Sequence, residues 1–314
     1  MDNIATPPEK FPLSVLIPVL NERRNIEACL ESVQWCDDLV VVDSGSVDGT
    51  DAIAEGCGAS VVQFRYIIGG PKKKNWTLAN VRFKNDWVLI LDADERITPE
   101  LAREIRHALM SPGDVTGYYI NRRFMFMGKW IRHCGYFPSW NLRLLKRGCG
   151  AYEMLPSDEN NVGDNEVHEH VILASGSSSR LDEPMDHYAF PTIESFVEKH
   201  NRYSNWEATV GDAYYKRAAS SSDKNGISTG LRFRRLLKSL ARALPCPHWM
   251  RFFYHYIFRA GFLDGKEGYI FCHLLGEYEF LIWAKRLAAT AHYSSSATPR
   301  AIAPRLNQNS VNEK

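Results

Sequence analysis

The sequence predicts an α/β protein with a doubly wound, mostly parallel sheet and a C-terminal helical appendage. The first observation is that short apolar runs alternate with helical patterns between Leu13 and Leu109, as in parallel sheets covered by helices. The second is a change after Gly117 to strand patterns rich in aromatic residues. The third is a Gly/Ser-rich stretch that is followed by further helical patterns. With 314 residues, 45% of them hydrophobic, the chain is long enough for one large domain and an appendage.

The alternating part contains predicted strands and helices in turn. The strand candidates are short apolar runs bounded by turn residues: Leu13–Val19, Asp38–Asp43, Ser60–Phe64 and Trp87–Leu91. The helix candidates follow them: Asn25–Val33, Asp51–Gly56, Asn75–Val81 and a helix capped by Thr98 with Pro99 at its first position. Ligands of such sheets bind at the carboxyl ends of the strands, so we expect the functional residues there.

The second part of the chain is predicted from longer and less regular patterns. The expected strands are Gly117–Ile131, Trp140–Lys146 and Glu166–Leu173. The expected helices are Pro191–Thr209, Leu231–Leu244, His248–Gly261 and Lys266–Ala289. The predicted organisation is a flexible N-terminus (1–11), an α/β domain (12–217), a linker (218–230), a helical membrane-proximal region (231–290) and a disordered tail (291–314).

Composition excludes several classes of protein. Lys and Arg number 38 against 37 Asp and Glu, so the net charge of +1 gives no support to nucleic-acid binding. The seven cysteines form no CxxC pair, which argues against a disulfide framework or a zinc finger and favours reduced thiols. No apolar run approaches the roughly 18–20 residues of a membrane span, and the N-terminus lacks a signal-segment pattern. We therefore expect a cytoplasmic protein, and the C-terminal block described below places it at the inner face of the cytoplasmic membrane.

Acidic residues follow two of the predicted strands. Asp43 closes the second strand, and Asp92, Asp94 and Glu95 follow the fourth, so all should lie at one edge of the sheet. Asp43 has an equally ordinary alternative role, since an Asp after a strand often caps the next turn. Three acids within four residues repel one another, and such a cluster is most easily tolerated around a cation. Oxygen ligands of this kind suit Mg²⁺ or Mn²⁺ completed by substrate phosphates.

Four segments of the sequence, taken in order, resemble those of a known protein family. The segments PLSVLIPVLNE, VVVDSGSVDGT, KKNWTLAN and WVLILDADE resemble the GT-A domain of family-2 glycosyltransferases, over roughly Pro12–Val210. NLRLLKR, EVHEH and HYAFPTIESFVEKHNRYSNWEA resemble the subgroup that includes lipopolysaccharide-core glucosyltransferases. The resemblance implies a GT-A fold and an inverting transfer of a sugar from a nucleotide donor, with a divalent metal, Mn²⁺ or Mg²⁺, on the diphosphate.

The resemblance also implies roles for single residues. Asp43 matches the acid that pairs with the nucleotide base, and Pro18 and Glu22 flank the loop that borders base and ribose. Asp92 and Asp94 match the DxD element that holds metal and diphosphate, with Asp94 as the more direct ligand. Lys74 and Asn75 match a Lys-Asn pair that lies near the nucleotide. The alternative for Lys74 is that it belongs to a solvated run of lysines, Lys72–Lys74.

An inverting displacement needs a base that takes the proton of the acceptor hydroxyl. The candidates are Glu166 and Glu169, and the resemblance favours Glu169, with His168 as a neighbour near metal or phosphate. Alternation along an extended segment places Glu166 and His168 on one face and Glu169 on the other, so Glu166 stays an alternative, as does a merely charged edge strand. A zinc-hydrolase interpretation lacks the HExxH motif. Arg143 is expected to pair with the base carboxylate or a phosphate, or to be an ordinary surface residue.

The C-terminal block predicts contact with a membrane surface. No Asp or Glu occurs between Lys224 and Leu263, while Arg and Lys are frequent and aromatic residues crowd the segment after Pro247. A basic, aromatic amphipathic surface suits an anionic bilayer interface. The alternative is a helical appendage packed on the catalytic domain. A lipid-linked or lipid-anchored saccharide acceptor fits the first interpretation.

Two other functions compete with a glycosyltransferase. A sugar nucleotidyltransferase shares a nucleotide-binding α/β core, but usually carries a Gly-rich loop after its first strand, whereas Asn21–Asn25 has no glycine. A catalytically degenerate, membrane-bound scaffold is the second, and the retained acids argue against it.

Overall fold

The fold is described from a computed structural model, which covers residues 10–67, 70–153, 170–209 and 247–295. The predicted linker 218–230, the predicted helix Leu231–Leu244 and most of the predicted tail lie outside these residues. The chain divides into two compact units. One comprises Met1–Ile193 and His255–Tyr269, and the other comprises Glu194–Tyr254 and Ile270–Lys314.

The first unit is built on a mixed sheet in which the first four strands are parallel. The strands, in chain order, are β1 Phe11–Val19, β2 Cys36–Asp43, β3 Ser60–Gln63, β4 Trp87–Ile90, β5 Glu95–Arg96, β6 Val115–Phe126, β7 Lys129–Trp130, β8 Trp140–Lys146, β9 Gly150–Tyr152, β10 Val171–Leu173, β11 Ser177–Arg180 and β12 Met185–His187. The main order is β3-β2-β1-β4-β8-β6-β12-β5, with β8 antiparallel to both of its neighbours. β9 and β10 form a separate antiparallel pair. The predicted α/β class and the predicted parallel strands are confirmed.

The helices of the described chain are α1 Ile26–Ser32, α2 Thr50–Gly56, α3 Lys73–Asn80, α4 Pro99–Met110, α5 Ile193–Thr209, α6 Pro247–Phe253 and α7 Gly265–Ser295. Of these, α1, α2 and α4 pack on one face of the sheet and α3 packs on the other, because the central strands are apolar on both faces. Alternate residues of β1 and β4 enter two cores: Val15 and Leu89 pack with α1 and α4, and Leu16 and Ile90 pack with the α3 side. The N-cap prediction for α4 is confirmed, since Thr98 Oγ1 accepts the Leu101 N–H at 3.2 Å.

The long strand expected over Gly117–Ile131 is two strands. Met127 and Gly128 both have positive φ, 51° and 77°, and join β6 to β7 as a two-residue hairpin. Such turns match the twist of paired strands and need φ above zero at both positions. The expectation of one strand was wrong here because Met is not a turn-forming residue in sequence patterns.

The helix expected over His248–Gly261 is also interrupted. α6 is followed by a π-helical turn, Tyr254–Phe258, and a short 3₁₀ turn, Gly261–Asp264, before α7 begins. Ala260 between them has a φ of 55°, which ends the helical run. α7 reaches Ser295, past the start predicted for the disordered tail. Among the described residues, no helix combines the length and apolar character that a membrane crossing requires.

Candidate active site

The carboxyl ends of the first four strands gather the predicted donor residues at one edge. β1 pairs with β2 so that Val19 lies beside Asp43, and with β4 so that Leu16 lies beside Ile90. Pro18 is the partner of Val42 in the same register. The predicted placement of Asp43 and of the acids after β4 at a common edge is therefore confirmed. The loops after these strands carry the residues of the candidate site.

Asp43 is a buried carboxylate that organises the loop after β2. Its oxygens accept hydrogen bonds from the Ser46 N–H at 3.0 and 3.1 Å and from the Ser46 hydroxyl at 2.5 Å. Gln63 Nε2 donates a further bond at 3.3 Å. The loop needs glycine where it does because Gly45 and Gly49 have φ of 85° and 86°. The alternative capping role of Asp43 is thus present, and its contact with a nucleotide base stays a prediction.

The loop after β1 is tied to the loop after β2. The Glu22 N–H donates to Thr50 Oγ1 at 2.9 Å, and the Arg23 N–H donates to Asp48 Oδ2 at 3.1 Å. The Glu22 carboxylate accepts from Asn25 Nδ2 at 2.8 Å. Two loops that share these bonds are held in one arrangement, so Glu22 is positioned at the edge where the sequence predicts it.

The turn after β4 is closed by its own acids. The Asp92 N–H donates to Glu95 Oε2, and the Glu95 N–H donates to the Asp92 carbonyl oxygen, both at 2.9 Å. The Glu95 side chain is fully buried. A buried carboxylate requires a partner of opposite charge, and the antiparallel strand β8 supplies it.

Arg143 is that partner and also binds Asp92. The register of β8, with Leu144 beside Leu89, brings Arg143 to the carboxyl end of β4. Its Nη2 donates to Asp92 Oδ2 at 2.5 Å and to Glu95 Oε1 at 2.7 Å. Although burial alone would lower it, these two carboxylates hold the pKa of the Arg143 guanidinium well above its ordinary value. The alternative of a surface arginine is wrong, since Arg143 is buried.

Lys74 binds the second oxygen of Asp92. It lies in the first turn of α3, and its Nζ is 2.9 Å from Asp92 Oδ1 and 5.2 Å from the centre of the Tyr152 ring. Burial alone would raise the pKa of the Asp92 carboxyl, but Arg143 and Lys74 hold it well below the usual range. Lys73 and Lys74 are both buried, so the alternative of a solvated lysine run is wrong for these two residues.

The acid cluster is therefore compensated by the protein's own cations. Arg143 contacts two of its carboxylates, Lys74 contacts one, and Arg122 Nη1 lies 3.5 Å from Glu95 Oε1. The predicted cation among these acids is therefore supplied by the protein itself at Asp92 and Glu95, and Asp92 as a metal ligand stays a prediction. The sequence argument missed basic side chains that are distant in sequence but adjacent in the fold.

Asp94 has a histidine among its contacts. Asp94 Oδ1 lies 3.6 Å from His187 Nε2, and the Tyr188 N–H donates to the Asp94 carbonyl oxygen at 2.7 Å. His187 comes from β12, which pairs with β5 directly after the acid turn. A carboxylate and an imidazole suit Mn²⁺. Over the described ranges, no three His, Cys, Asp or Glu side chains group as a metal site, so two protein ligands would need waters and phosphates to complete the shell.

Asn75 holds the short strand β9 against α3. Its Nδ2 donates to the Tyr152 carbonyl oxygen, and the Tyr152 N–H donates to Asn75 Oδ1, both at 2.8 Å. This pair of bonds, which we call the amide clamp, satisfies the backbone N–H and carbonyl of Tyr152 as a neighbouring strand would. Asn75 thus positions Tyr152, whose ring faces Lys74, and a direct contact of Asn75 with the donor stays a prediction.

The predicted catalytic residues Glu166, His168 and Glu169 lie outside the described residues. The residues on either side of that stretch are placed. The Glu153 N–H donates to the His170 carbonyl oxygen at 2.9 Å, and the His170 N–H donates to Glu153 Oε1 at 3.2 Å. Glu153 directly follows β9 and His170 directly precedes β10, so the two ends of the stretch lie together beside Tyr152, which Asn75 anchors.

Three residues of the site were absent from the sequence prediction in these roles. Glu95 was noted only as part of an acid cluster, and Arg122 and His187 were not singled out. The signal for His187 was available, since it opens the HYAF segment. No sequence signal connects Arg122 with Glu95, because β6 meets β5 only through the intervening strand β12.

Comparisons with known proteins identify relatives of this chain. The model of the family described as "Glycosyl transferase family 2" matches residues 14–156. An uncharacterized glycosyltransferase of Rickettsia conorii is 30% identical over 204 residues, which cover 62% of this chain and 69% of the relative. The lipopolysaccharide core biosynthesis glycosyltransferase LpsC of Rhizobium meliloti is 28% identical over 208 residues, covering 63% and 71%.

A solved structure also matches part of the chain. It is glucosyl-3-phosphoglycerate synthase from Mycobacterium tuberculosis in complex with Mn²⁺, uridine diphosphate and glucosyl-3-phosphoglycerate. The identity is 26%, and the match covers 36% of this chain and 44% of that one, with a TM-score of 0.29. An overlap this partial carries no structural argument.

Proposed function

The chain belongs to glycosyltransferase family 2, and from that premise we propose that it transfers a sugar, with inversion, from a nucleoside-diphosphate donor to a membrane-linked saccharide or lipid acceptor in cell-envelope glycan synthesis. The observation that carries the proposal is the cluster of Lys74, Asp92, Arg143 and Glu95 at the carboxyl edge of the sheet. The similarity to a lipopolysaccharide-core enzyme supports an acceptor of that class.

The donor diphosphate is expected at the cationic side of this cluster. Lys74 contacts Asp92, whose side chain is 31% exposed, whereas Arg143 also contacts the fully buried Glu95. An incoming diphosphate competes with Asp92 for the Lys74 ammonium, and Arg143 keeps Asp92 ionised and in place meanwhile. The base and ribose lie toward Asp43, Pro18 and Glu22 in this scheme.

A divalent metal, Mn²⁺ or Mg²⁺, fits the residues on the other side of the same turn. Asp94 and His187 are the side chains that would hold it, with Asp92 as the second predicted carboxylate; carboxylates suit either ion, and a nitrogen ligand is more usual for a transition metal such as Mn²⁺. When bound, the metal supplies Lewis-acid stabilisation of the departing nucleoside diphosphate. His187 is oriented by the Phe124 ring, whose centre lies 6.1 Å from its own.

The acceptor hydroxyl is deprotonated by Glu169 in our proposal, with Glu166 as the alternative base and His168 as a neighbour. The support is the family resemblance together with the placement of Glu153 and His170, which bracket this stretch beside the donor cluster. An inverting displacement requires this base to act on the face of the sugar opposite the leaving diphosphate.

The stereochemistry of the product tests this proposal directly. The enzyme is incubated with a panel of nucleotide sugars, Mn²⁺ and a lipid-extract acceptor, and the anomeric configuration of the transferred sugar is determined by NMR. We expect inversion and release of a nucleoside diphosphate. Asp94→Asn should abolish transfer, whereas Asp86→Asn, at an exposed acid beside Arg147, should leave it unchanged. A retained configuration would contradict the single displacement, and full activity of Asp94→Asn would contradict the metal role.

The two competing functions make different predictions in the same assay. A sugar nucleotidyltransferase would release pyrophosphate from a nucleoside triphosphate and a sugar phosphate, and a degenerate scaffold would release nothing. Membership of a glycosyltransferase family, together with the cluster of Lys74, Asp92, Arg143 and Glu95, argues against both of these competing functions. We expect nucleoside diphosphate as the only phosphate product.

A further inference from the structure

Residues 257–263 of the first unit expose large apolar side chains. Two consecutive tight turns form this segment: the Ala260 N–H donates to the Ile257 carbonyl oxygen at 3.0 Å, and the Leu263 N–H donates to the Ala260 carbonyl oxygen at 2.9 Å. At least half of each of four side chains is exposed there, and Phe258 is 79% exposed. We call this set the apolar knuckle: Ile257, Phe258, Phe262 and Leu263.

The apolar knuckle is held in place by buried hydrogen bonds to the loop after β7. The Asp264 carboxylate, which is buried, accepts from the Arg132 and His133 N–H groups at 3.2 and 2.8 Å. Lys129 Nζ donates to the Asp264 carbonyl oxygen at 2.7 Å. His255, also buried, has its Nδ1 2.6 Å from the Cys134 carbonyl oxygen. These bonds fix the turns, so the exposure of the apolar side chains is not a consequence of a loosely attached loop.

The border of the apolar knuckle is basic. Two segments contribute to this part of the surface, 255–269 with the apolar knuckle and 127–135 with the loop that holds it. Their exposed basic residues are Lys129, Arg132, Arg259 and Lys266. The acids of these segments are Asp264 and Glu267: the first is buried, and the second lies 3.3 Å from Lys129 Nζ. The outward charge is therefore positive. Tyr269, half exposed, adds the amphipathic aromatic side chain that favours a membrane–water interface.

We propose that the apolar knuckle inserts into the interface of an anionic bilayer while its basic border binds the lipid headgroups. This inference rests on the proposed function in one respect, namely that a membrane-linked acceptor requires the enzyme to reach the membrane surface. The combination of exposed apolar side chains with surrounding Lys and Arg is what interfacial binding requires.

A second copy of the chain fits this surface less well than a bilayer does. At roughly 100 Å² for each exposed side chain, the apolar knuckle offers about 400 Å², half of the approximately 800 Å² that each partner buries in a standard interface. A two-fold contact would also place the basic borders of both copies against each other, because such an interface uses the same patch twice. Anionic lipids remove that repulsion.

Vesicle cosedimentation tests the proposal. The full-length protein is mixed with vesicles of 30% phosphatidylglycerol and 70% phosphatidylethanolamine, and with vesicles of phosphatidylcholine alone. We expect binding to the anionic vesicles that weakens with salt. The double variant Phe258→Ser/Leu263→Ser should lower the partition coefficient at least about tenfold. Lys266→Gln, at an exposed side chain, should lower it about fivefold at low salt.

The matched control is Met110→Ser, which removes an apolar side chain that is 77% exposed at the end of α4. It should bind vesicles as the wild type does, and all variants should keep the wild-type melting temperature. Equal binding of the double variant and the wild type would overturn the proposal. So would a dimer, measured by light scattering, that the double variant converts to a monomer.

The same variants separate this inference from the proposed function. Release of nucleoside diphosphate from the donor is measured without vesicles. Wild-type protein that turns over the donor but does not bind anionic vesicles overturns the inference and leaves the proposed function intact. Protein that binds vesicles through the apolar knuckle but releases no nucleoside diphosphate from any donor supports the inference and contradicts the proposed function.

Discussion

Arg143 is the residue whose removal most sharply tests the electrostatics of the site. Replacing it by Met keeps the aliphatic part of the side chain but leaves the fully buried Glu95 without its closest cation, at 2.7 Å. Breaking a buried ion pair from one side costs about 3–5 kcal/mol, because the remaining charge is desolvated and unpaired. Asp92 also loses Arg143, but its share of the loss is smaller, since its side chain is 31% exposed and keeps Lys74 at 2.9 Å. Arg122, at 3.5 Å, compensates Glu95 only in part.

The expected result is a loss of about 3–5 kcal/mol in the free energy of unfolding, or roughly 6–20 °C in melting temperature for a domain of this size. Urea denaturation followed by fluorescence measures the first quantity and calorimetry the second. The matched control is Arg147→Met, one residue past the end of β8, where Arg147 lies 3.5 Å from the exposed Asp86, so its loss should stay below about 1 kcal/mol.

A double variant isolates the pair. Adding Glu95→Gln to Arg143→Met removes the unpaired buried charge, so the double variant should be more stable than Arg143→Met alone. If Arg143→Met were as stable as Arg147→Met, Arg143 would not be the cation that neutralises the acids after β4, and the electrostatic account of the site would be wrong.

Three further predictions follow. Arg143 holds the folded-state pKa of Asp92 below the unfolded value of about 3.9, so the stability that this ion pair contributes is present above that pH and is lost as the pH falls through the folded pKa. The difference in unfolding free energy between the wild type and Arg143→Met, measured by urea denaturation, should therefore shrink below about pH 4. Asp94→Asn and His187→Gln should each weaken Mn²⁺ binding at least about tenfold in calorimetric titration. Asn75→Ala should destabilise by about 1–3 kcal/mol and speed hydrogen exchange in β9 and β10.

Each of these has a contrary outcome. A deficit of Arg143→Met that grows in acid would mean that Asp92 is not held ionised by that residue. Unchanged Mn²⁺ affinity in both variants of the Asp94–His187 pair would place the metal elsewhere. Unaltered exchange at Tyr152 in Asn75→Ala would show that the amide clamp does not anchor β9.

The parallel half of the fold was predictable because each of its strands has a recognisable local sequence pattern. β2 and β4 are buried on both faces, so they read as uninterrupted apolar runs bounded by acids or turns. The predicted boundaries agree with the structure within two residues for these strands. The hairpin at Met127 was not predictable in the same way, since a positive φ at Met depends on the pairing of Phe126 with Lys129 and not on its own preference.

The candidate site was predictable in position but not in its internal contacts. The rule that ligands bind at carboxyl strand ends locates Asp43, Asp92 and Asp94 from sequence. It says nothing of Arg143, which reaches Asp92 across 51 positions of sequence through the antiparallel register of β8. Burial of Lys74 was equally invisible, because a run of lysines is usually solvated and only the fold brings its ammonium to Asp92.

Binding of the donor nucleotide to the Lys74–Asp92–Arg143 cluster is the claim on which the whole account depends. The most direct measurement is the melting temperature of the wild type and of Lys74→Gln with a panel of nucleoside diphosphates and Mn²⁺, since a ligand that binds only the folded form raises it. The account predicts that one nucleotide raises the melting temperature of the wild type, and that this rise is largely lost in Lys74→Gln. An equal rise in both proteins, or none with any nucleotide, would contradict it.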